Sequence, residues 1–226
     1  MAVQLVRLGD VATISQGMTT SGRGAGARQG SWELRLVSVG DIQDDRLEPG
    51  GLKSARFEFN VKTEKHLLRP EDVLVAARST AAKAALVPPA LTRTVADATL
   101  LVVRPLQVDV GPYLWWFLTS SHGRQQVQAR MASSTTLLSL SVAALADLAV
   151  PWPDQSVLCR IAELVEVSER AYAAAAEAAR LRRTIFRDAI VGLLSTQVFR
   201  CHSRESGNSG HGTEVDSRES ENDGEP

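Results

Sequence analysis

The first stretch whose residue types could hold a ligand is Thr19 to Trp32, TTSGRGAGARQGSW. Gly22, Gly24 and Ala27 fit the G-x-G-x-x-A spacing of a dinucleotide cradle, with Asp41 near the distance of a ribose-binding acid. That cradle needs a strand directly before the glycines and a helix opening on them. Here SQGMTTS precedes and RQGSWELRL follows, a loop entering an expected strand. A P-loop fails as well, because no Gly-Lys-Ser/Thr follows. Catalytic motifs are equally scarce. A metal-dependent nuclease of the PD…(D/E)xK type needs a lysine two residues after an acid, and none of the four lysines (Lys53, Lys62, Lys65, Lys83) meets that spacing. There is no Gly-x-Ser-x-Gly elbow and no HExxH. The one Pro-Pro pair, Pro88–Pro89, is not followed by the aromatic residue of an amino-methylating motif. No catalytic residue is therefore expected in this chain, and no cofactor of its own.

Cys159 and Cys201 form no Cys-x-x-Cys pair, and His66, His122, His202 and His211 are scattered, so neither a zinc site nor a disulfide scaffold is expected. Cys159 occupies an apolar helical position and reads as a core residue. The net charge of −1 conceals an asymmetry. Seven of the 26 acids and two of the 25 bases fall in residues 201–226, which leaves 19 acids and 23 bases, a net of +4, in residues 1–200. A mildly basic body suits an anionic partner. No run reaches the roughly 18 apolar residues of a membrane-spanning helix, and MAVQLVRLGD lacks the pattern of a secretory signal, so a cytoplasmic location is expected.

The elements that must position any site fall into three segments: residues 1–153, 154–199 and 200–226. In the first, Arg35–Ile42, Asp72–Arg78 and Ala96–Pro105 are runs rich in β-branched residues, bounded by Gly, Pro or Asp, and read as strands. Pro112–Met131 reads as a helix, with further helix entries at Asp10 and Ser141. Strands and helices do not alternate regularly, which argues against a doubly wound sheet and for a compact α+β domain. After PWPD (Pro151–Asp154) the chain becomes alanine-rich. From Gln155 to Ser195 it has no proline and one glycine. Ile161, Val165, Ser168, Tyr172, Ala175, Ala179, Arg182, Phe186, Ala189 and Leu193 recur at four- and three-residue steps, the seam of a coiled coil. At 1.5 Å per residue this helix is roughly 60 Å long, too long to bury its seam on a domain of this size. It is expected either to pair with a second helix, Arg182 then meeting an acid across the interface, or to fold back on its own domain. The tail from residue 200 is polar and expected to be disordered. Its crude repeat, SRESGN and SRESEN, resembles peptides read from repetitive DNA.

Several segments, in order, resemble the DNA specificity (S) subunits of type I restriction-modification systems. They are Leu8–Gly17, Arg35–Pro49, His66–Thr80, Val95–Pro105, Pro112–Leu118 and Ser133–Pro153, followed by the long helix. The sequence departs from the family at Glu71, where glycine usually precedes the Asp, and at the alanines near Thr80–Lys83, where the family has glycines. The resemblance implies a half subunit: one target recognition domain and one helix, where S subunits usually carry two of each. It implies double-stranded DNA as ligand, and as partners the methylation and restriction subunits, which hold S-adenosylmethionine, ATP and magnesium. A homodimer would supply the second helix and, by symmetry, read a bipartite inverted repeat. The rival reading is a decayed half subunit that pairs with other S-type helices without reading DNA. Under the first reading, recognition falls to cationic and hydrogen-bonding side chains on loops. The candidates are Arg23, Arg28 and Gln29; Lys53 and Arg56; Arg78, Ser79, Thr80 and Lys83; and Arg130, Ser133, Ser134 and Thr135. Trp115 and Trp116 are expected to pack in the core.

Overall fold

The computed structural model describes residues 3–19, 31–47, 49–58, 64–134 and 137–205. The chain divides into two compact units, Met1–Arg170 and Ala171–Pro226. The first unit opens with β1 (Gln4–Arg7), α1 (Leu8–Val11), β2 (Ala12–Gln16), β3 (Ser31–Val37), β4 (Ile42–Gln43), β5 (Arg46–Leu47) and β6 (Lys53–Glu58). It continues through β7 (Val73–Ala76), β8 (Arg78–Ser79), β9 (Ala84–Leu86), β10 (Thr94–Ala96) and β11 (Leu100–Pro105). Helices α2 (Gly111–Thr119) and α3 (Ser121–Arg130) lead to β12 (Ala132–Ser134), β13 (Leu137–Ser139), α4 (Val142–Ala146) and β14 (Ala149–Trp152). Helix α5 spans Gln155–Glu205, so its first turns belong to this unit.

The centre is an antiparallel sheet in the order β2-β11-β7-β9. Successive side chains alternate between its faces, and in its inner strands β7 and β11 both faces are buried. Val73, Val75, Leu101 and Val103 enter one cluster with Leu8, Tyr113, Leu114, Phe117 and Leu158. Leu74, Leu100 and Val102 enter another with Val37, Ile42, Leu68 and Leu91. Burial on both faces is why VLVA and LLVV read as continuous apolar runs rather than alternating ones. A second sheet, β10-β3-β6, covers a smaller cluster of Leu34, Leu36, Phe57 and Val95. The architecture is α+β, with β10 and β3 a parallel pair in otherwise antiparallel ladders.

A buried ion pair pins the central register. Asp72, 1% exposed, precedes β7, and Arg104 lies near the end of β11. Arg104 Nε and Nη2 donate to the two carboxylate oxygens at 2.8 and 2.6 Å, a bidentate pair that raises the guanidinium's pKa. Arg69 N donates to Asp72 Oδ2 and Arg104 Nη2 to Leu67 O, which leaves neither charge with water alone for company. The preceding residue, Glu71, has φ 68°. A glycine there would meet the same left-handed requirement without strain. Here the Glu71 carboxylate accepts the Asp109 amide at 2.9 Å, and burial raises its pKa.

Several expectations need correction. The segment 112–131 forms two helices, because Ser120 leaves the helical region (φ −62°, ψ 158°) and becomes the N-cap of α3, accepting from Gly123 N. Gly123 permits the turn: a Cβ there would lie 2.0 Å from Phe117 O. Asp10 caps no helix of VATISQ; Ala12–Gln16 is strand β2, held by the ladder to β11. Ser141, in contrast, does cap α4, accepting from Ala144 N at 3.1 Å. Trp115 is buried as expected, whereas Trp116 is 45% exposed. Cys159 is only partly buried, with Gln155 Nε2 3.7 Å from its sulfur. Helix α5 passes the expected end at residue 199, and the rest of the tail lies outside the described residues.

In the second unit α5 is an exposed helix. Every described side chain from Ala171 to Ser195 faces solvent, including Leu181, Ile185, Phe186, Ile190, Leu193 and Leu194. Glu177 pairs with Arg180 along the helix at 3.1 Å. No helix among the described residues is long and apolar enough to cross a membrane.

Two measurements check this packing. Gly17 donates its amide to Leu100 O, and a Cβ there would stand 2.0 Å from Asp97 O, a backbone atom that cannot yield. Gly17→Ala is expected to cost about 3 kcal/mol or more in urea unfolding, and a loss under about 0.5 kcal/mol would contradict the close approach. Tyr113, which donates to Pro151 O, has its phenol pushed up from 10.0 to about 12 by burial. The neutral phenol is the form that folds, so its contribution is whole below pH 10 and is lost as pH climbs toward 12. Thermal melts across that window should show the decline, and Tyr113→Phe should flatten it.

Candidate nucleic-acid interface

Two of the candidate clusters, more than fifty residues apart in sequence, meet on one small sheet, β12-β13-β8. The chain leaves buried β7 at Ala77, whose amide donates to Thr99 O at 2.8 Å and whose carbonyl accepts Leu140 N at 2.8 Å. Strand β8 then pairs with β13, Arg78 opposite Ser139 and Ser79 opposite Leu138. On the other side of β13, Ser133 stands opposite Leu138 and Ser134 opposite Leu137. Arg78 and Thr80 are exposed beside this ladder. Arg78 has no acid or carbonyl on its guanidinium among the described residues.

Three other candidates, Ser79, Lys83 and Arg130, have partners within the fold. Ser79 is 9% exposed and its hydroxyl accepts Ala81 N at 3.3 Å, so it builds the turn rather than the surface. Lys83 is half-buried, its ammonium on Ile42 O at 3.3 Å. Arg130 donates to Gln126 O and Asp147 O at 3.1 and 3.4 Å, tying the end of α3 to the residues after α4. Lys53 and Arg56 are exposed on β6, opposite Leu36 and Glu33 of β3, in the sheet β10-β3-β6 rather than that of Arg78. Arg23, Arg28, Gln29 and Thr135 lie outside the described residues. Of the expected helix seam, Ile161 packs against the first core cluster and Val165, 8% exposed, belongs to it. Both are therefore withdrawn from any partner helix. Ser168, Tyr172, Ala175, Ala179, Arg182, Phe186, Ala189 and Leu193 are exposed.

The structure also presents a cationic group that the sequence did not single out. Arg93 lies over the Trp32 ring, its guanidinium carbon 5.5 Å from the centroid, a contact worth about 0.5–1 kcal/mol at the surface. Arg35 is next to it in the ladder and donates to Thr92 O. Leu67 bridges Val95 in antiparallel sense, which puts the exposed Arg69 at the Arg93 end of β10. Nothing in the spelling LTRTV announces this, because the aromatic partner comes from sixty-one residues away. Among the described residues, no group of three or more His, Cys, Asp or Glu side chains could hold a metal ion.

No family model matches the chain, and no curated protein matches it. Solved structures do. A chain from work on complex assembly and conformational transition of the type I R-M system matches 76% of this chain and 39% of its own length. The identity is 18% and the TM-score 0.53. The type I restriction-modification S subunit from M. genitalium matches 75% of this chain and 40% of its own, at 11% identity and a TM-score of 0.51. The type IIG restriction endonuclease BpuSI matches 72% and 26%, at 11% identity and 0.52. The chain thus spans about two fifths of the length of the two type I chains. At these identities the likeness is one of fold. A sheet domain followed by a long C-terminal helix is the fold of the type I restriction-modification S subunits, and this chain has it.

Proposed function

We propose that this chain is a non-catalytic specificity subunit that binds double-stranded DNA sequence-specifically and directs methylation and restriction subunits. The observation that carries this reading is the β12-β13-β8 sheet, which brings the Ser133–Ser134 strand, through β13, beside the strand that carries exposed Arg78, on an S-subunit fold. The net charge of +4 over residues 1–200 supports an anionic ligand. S-adenosylmethionine, ATP and magnesium belong, on this reading, to the partner subunits, and the complex works in the cytoplasm.

On this reading the chain acts as a homodimer on a bipartite inverted repeat, a second copy covering the exposed apolar side chains of the long helix. Helix α5 supplies the pairing surface. With Ile161 and Val165 engaged by the domain, the seam moves to Leu164, Val167, Ala171, Ala174, Ala178, Leu181 and Ile185, also at three- and four-residue steps and all exposed. This seam contains no charge. Its side-chain sizes are symmetric about Ala174, large at both ends and small in the middle, which suits an antiparallel pair. In that register Arg170 of each copy faces Glu177 of the other.

Full-length chain with its methylation subunit should retard one class of duplex preferentially in a mobility assay at controlled salt. Absence of any preference over random DNA would leave the rival reading instead, a decayed half subunit that pairs with other S-type helices without reading DNA. Arg78→Ala should weaken binding to all duplexes and lower the salt slope by about 1, with its melting temperature unchanged. Arg130→Ala should do the reverse, lowering the melting temperature and sparing the slope. For the dimer, Ala174→Glu with Ala178→Glu should give monomers in light scattering, whereas Phe186→Ser should stay dimeric. The opposite pattern would return the seam to Phe186.

A further inference from the structure

Arginines of the first unit divide into those whose guanidinium the fold uses and those it does not. Arg7, Arg46, Arg104 and Arg124 pair with Asp147, Glu169, Asp72 and Asp45, while Arg35 and Arg130 donate to backbone carbonyls. Arg93 belongs to neither group. It is exposed, no acceptor among the described residues takes its N–H groups, and yet it lies over the Trp32 ring. Contact with the Trp32 ring favours one placement of the guanidinium without engaging a single donor, unlike a salt bridge.

Its backbone is fixed as well. Arg93 has φ 50°, in the left-handed region that a non-glycine residue enters only when its surroundings impose it. Those surroundings are specific. Arg93 O accepts Arg35 N at 2.9 Å. Thr92 O accepts Arg35 Nη2 at 3.0 Å and Thr94 Oγ1 at 2.9 Å, and Thr92 N donates to Ala90 O at 3.2 Å. The strain turns Arg93 out of the ladder just before β10, and Trp32 receives it. A residue that merely steadies a phosphate needs charge and reach, which a flexible lysine supplies. A planar fork of donors held in advance is what bidentate recognition of a base edge needs.

We propose that Arg93, stacked on Trp32, is a specificity-determining residue that donates two hydrogen bonds to O6 and N7 of a guanine in the major groove of the target. Arg35 and Arg69 place positive charge beside it and bring that end of β10 to the duplex. This rests on the DNA-recognition reading above.

The test is selection from a randomised duplex library, with the full chain assembled as in the mobility assay and the salt held constant. Wild type selects a motif. Arg93→Lys keeps the charge but loses the fork, and should lower discrimination at one guanine by about tenfold or more. Affinity for random duplex and the salt slope should stay within about twofold of wild type. Trp32→Leu should relax the same guanine position, since it removes what orients the fork. An unchanged motif with Arg93→Lys overturns the proposal while leaving DNA recognition standing. Uniform weakening on all duplexes by Arg93→Ala, with a salt slope reduced by about 1, makes Arg93 a phosphate contact and also overturns it. Failure of the wild-type chain to select any motif removes the reading beneath it, and the proposal with it.

Discussion

Burial of the central sheet on both faces is the constraint on which the rest of the first unit depends. Strands β7 and β11 have no solvent face, so a slip of one residue would exchange Val73 and Val75 with Leu74 between two differently shaped clusters. Hydrophobicity alone defends weakly against such a slip, because both faces are apolar. The Asp72–Arg104 pair defends strongly: any other register separates a carboxylate that is 1% exposed from its guanidinium. What leaves the ends of these strands is then placed by them. Arg78 follows β7 after a single residue, and Ala77 is held to Thr99 and Leu140. Gly17, at the end of β2, passes close beneath Asp97 at the point where the chain departs toward Thr19.

A second device ties the helices to this sheet. Gln43 and Arg46 pair across a two-residue turn, Asp44–Asp45, with φ of 48° and 59°. Trp115 Nε1 donates to Asp45 O at 3.1 Å, Arg124 pairs with the Asp45 carboxylate, and Arg46 pairs with Glu169 of α5. One short hairpin thus touches α2, α3 and the first turns of α5. Asp45 is matched by a cation of α3 and Arg46 by an acid of α5, so these charges hold the fold. The guanidinium groups of Arg78 and Arg93, in contrast, take no carboxylate or carbonyl partner among the described residues.

Much of this was legible in the sequence. The runs of β7 and β11, the Ser141 cap and the change of composition after Asp154 each come from local chemistry, and local chemistry decided them. Where the reading failed, a distant contact won. Residues 12–16 became strand because β11 offers them a ladder, and the helix over 112–131 broke because Gly123 lets the second half approach Phe117 O. The sites follow the same rule. That Arg78 belongs with Ser133–Ser134 depends on a pairing through β13, and that Arg130 is engaged depends on the carbonyl of Asp147. Arg93 escaped notice altogether, since neither its strained backbone nor its indole partner has a local signature.

The helix shows the same limit from the other side. Its three- and four-residue periodicity supports more than one stripe, and the sequence offers no means of choosing between stripes one residue apart. The domain chooses. By taking Leu158, Ala162 and Val165 into its core and Glu169 into an ion pair, it assigns one face of α5 to itself. A heptad has room for one further apolar seam on the opposite side, and there the residues are Leu164 and Val167, then alanines, then Leu181 and Ile185. Arg182, a defect in the seam read from sequence, falls outside this one. The alanines favour helix on their own, so propensity accounts for the middle of the segment. It does not account for exposed Leu181 and Ile185, whose apolar surface gains nothing from water, and a second copy of the same seam would cover them.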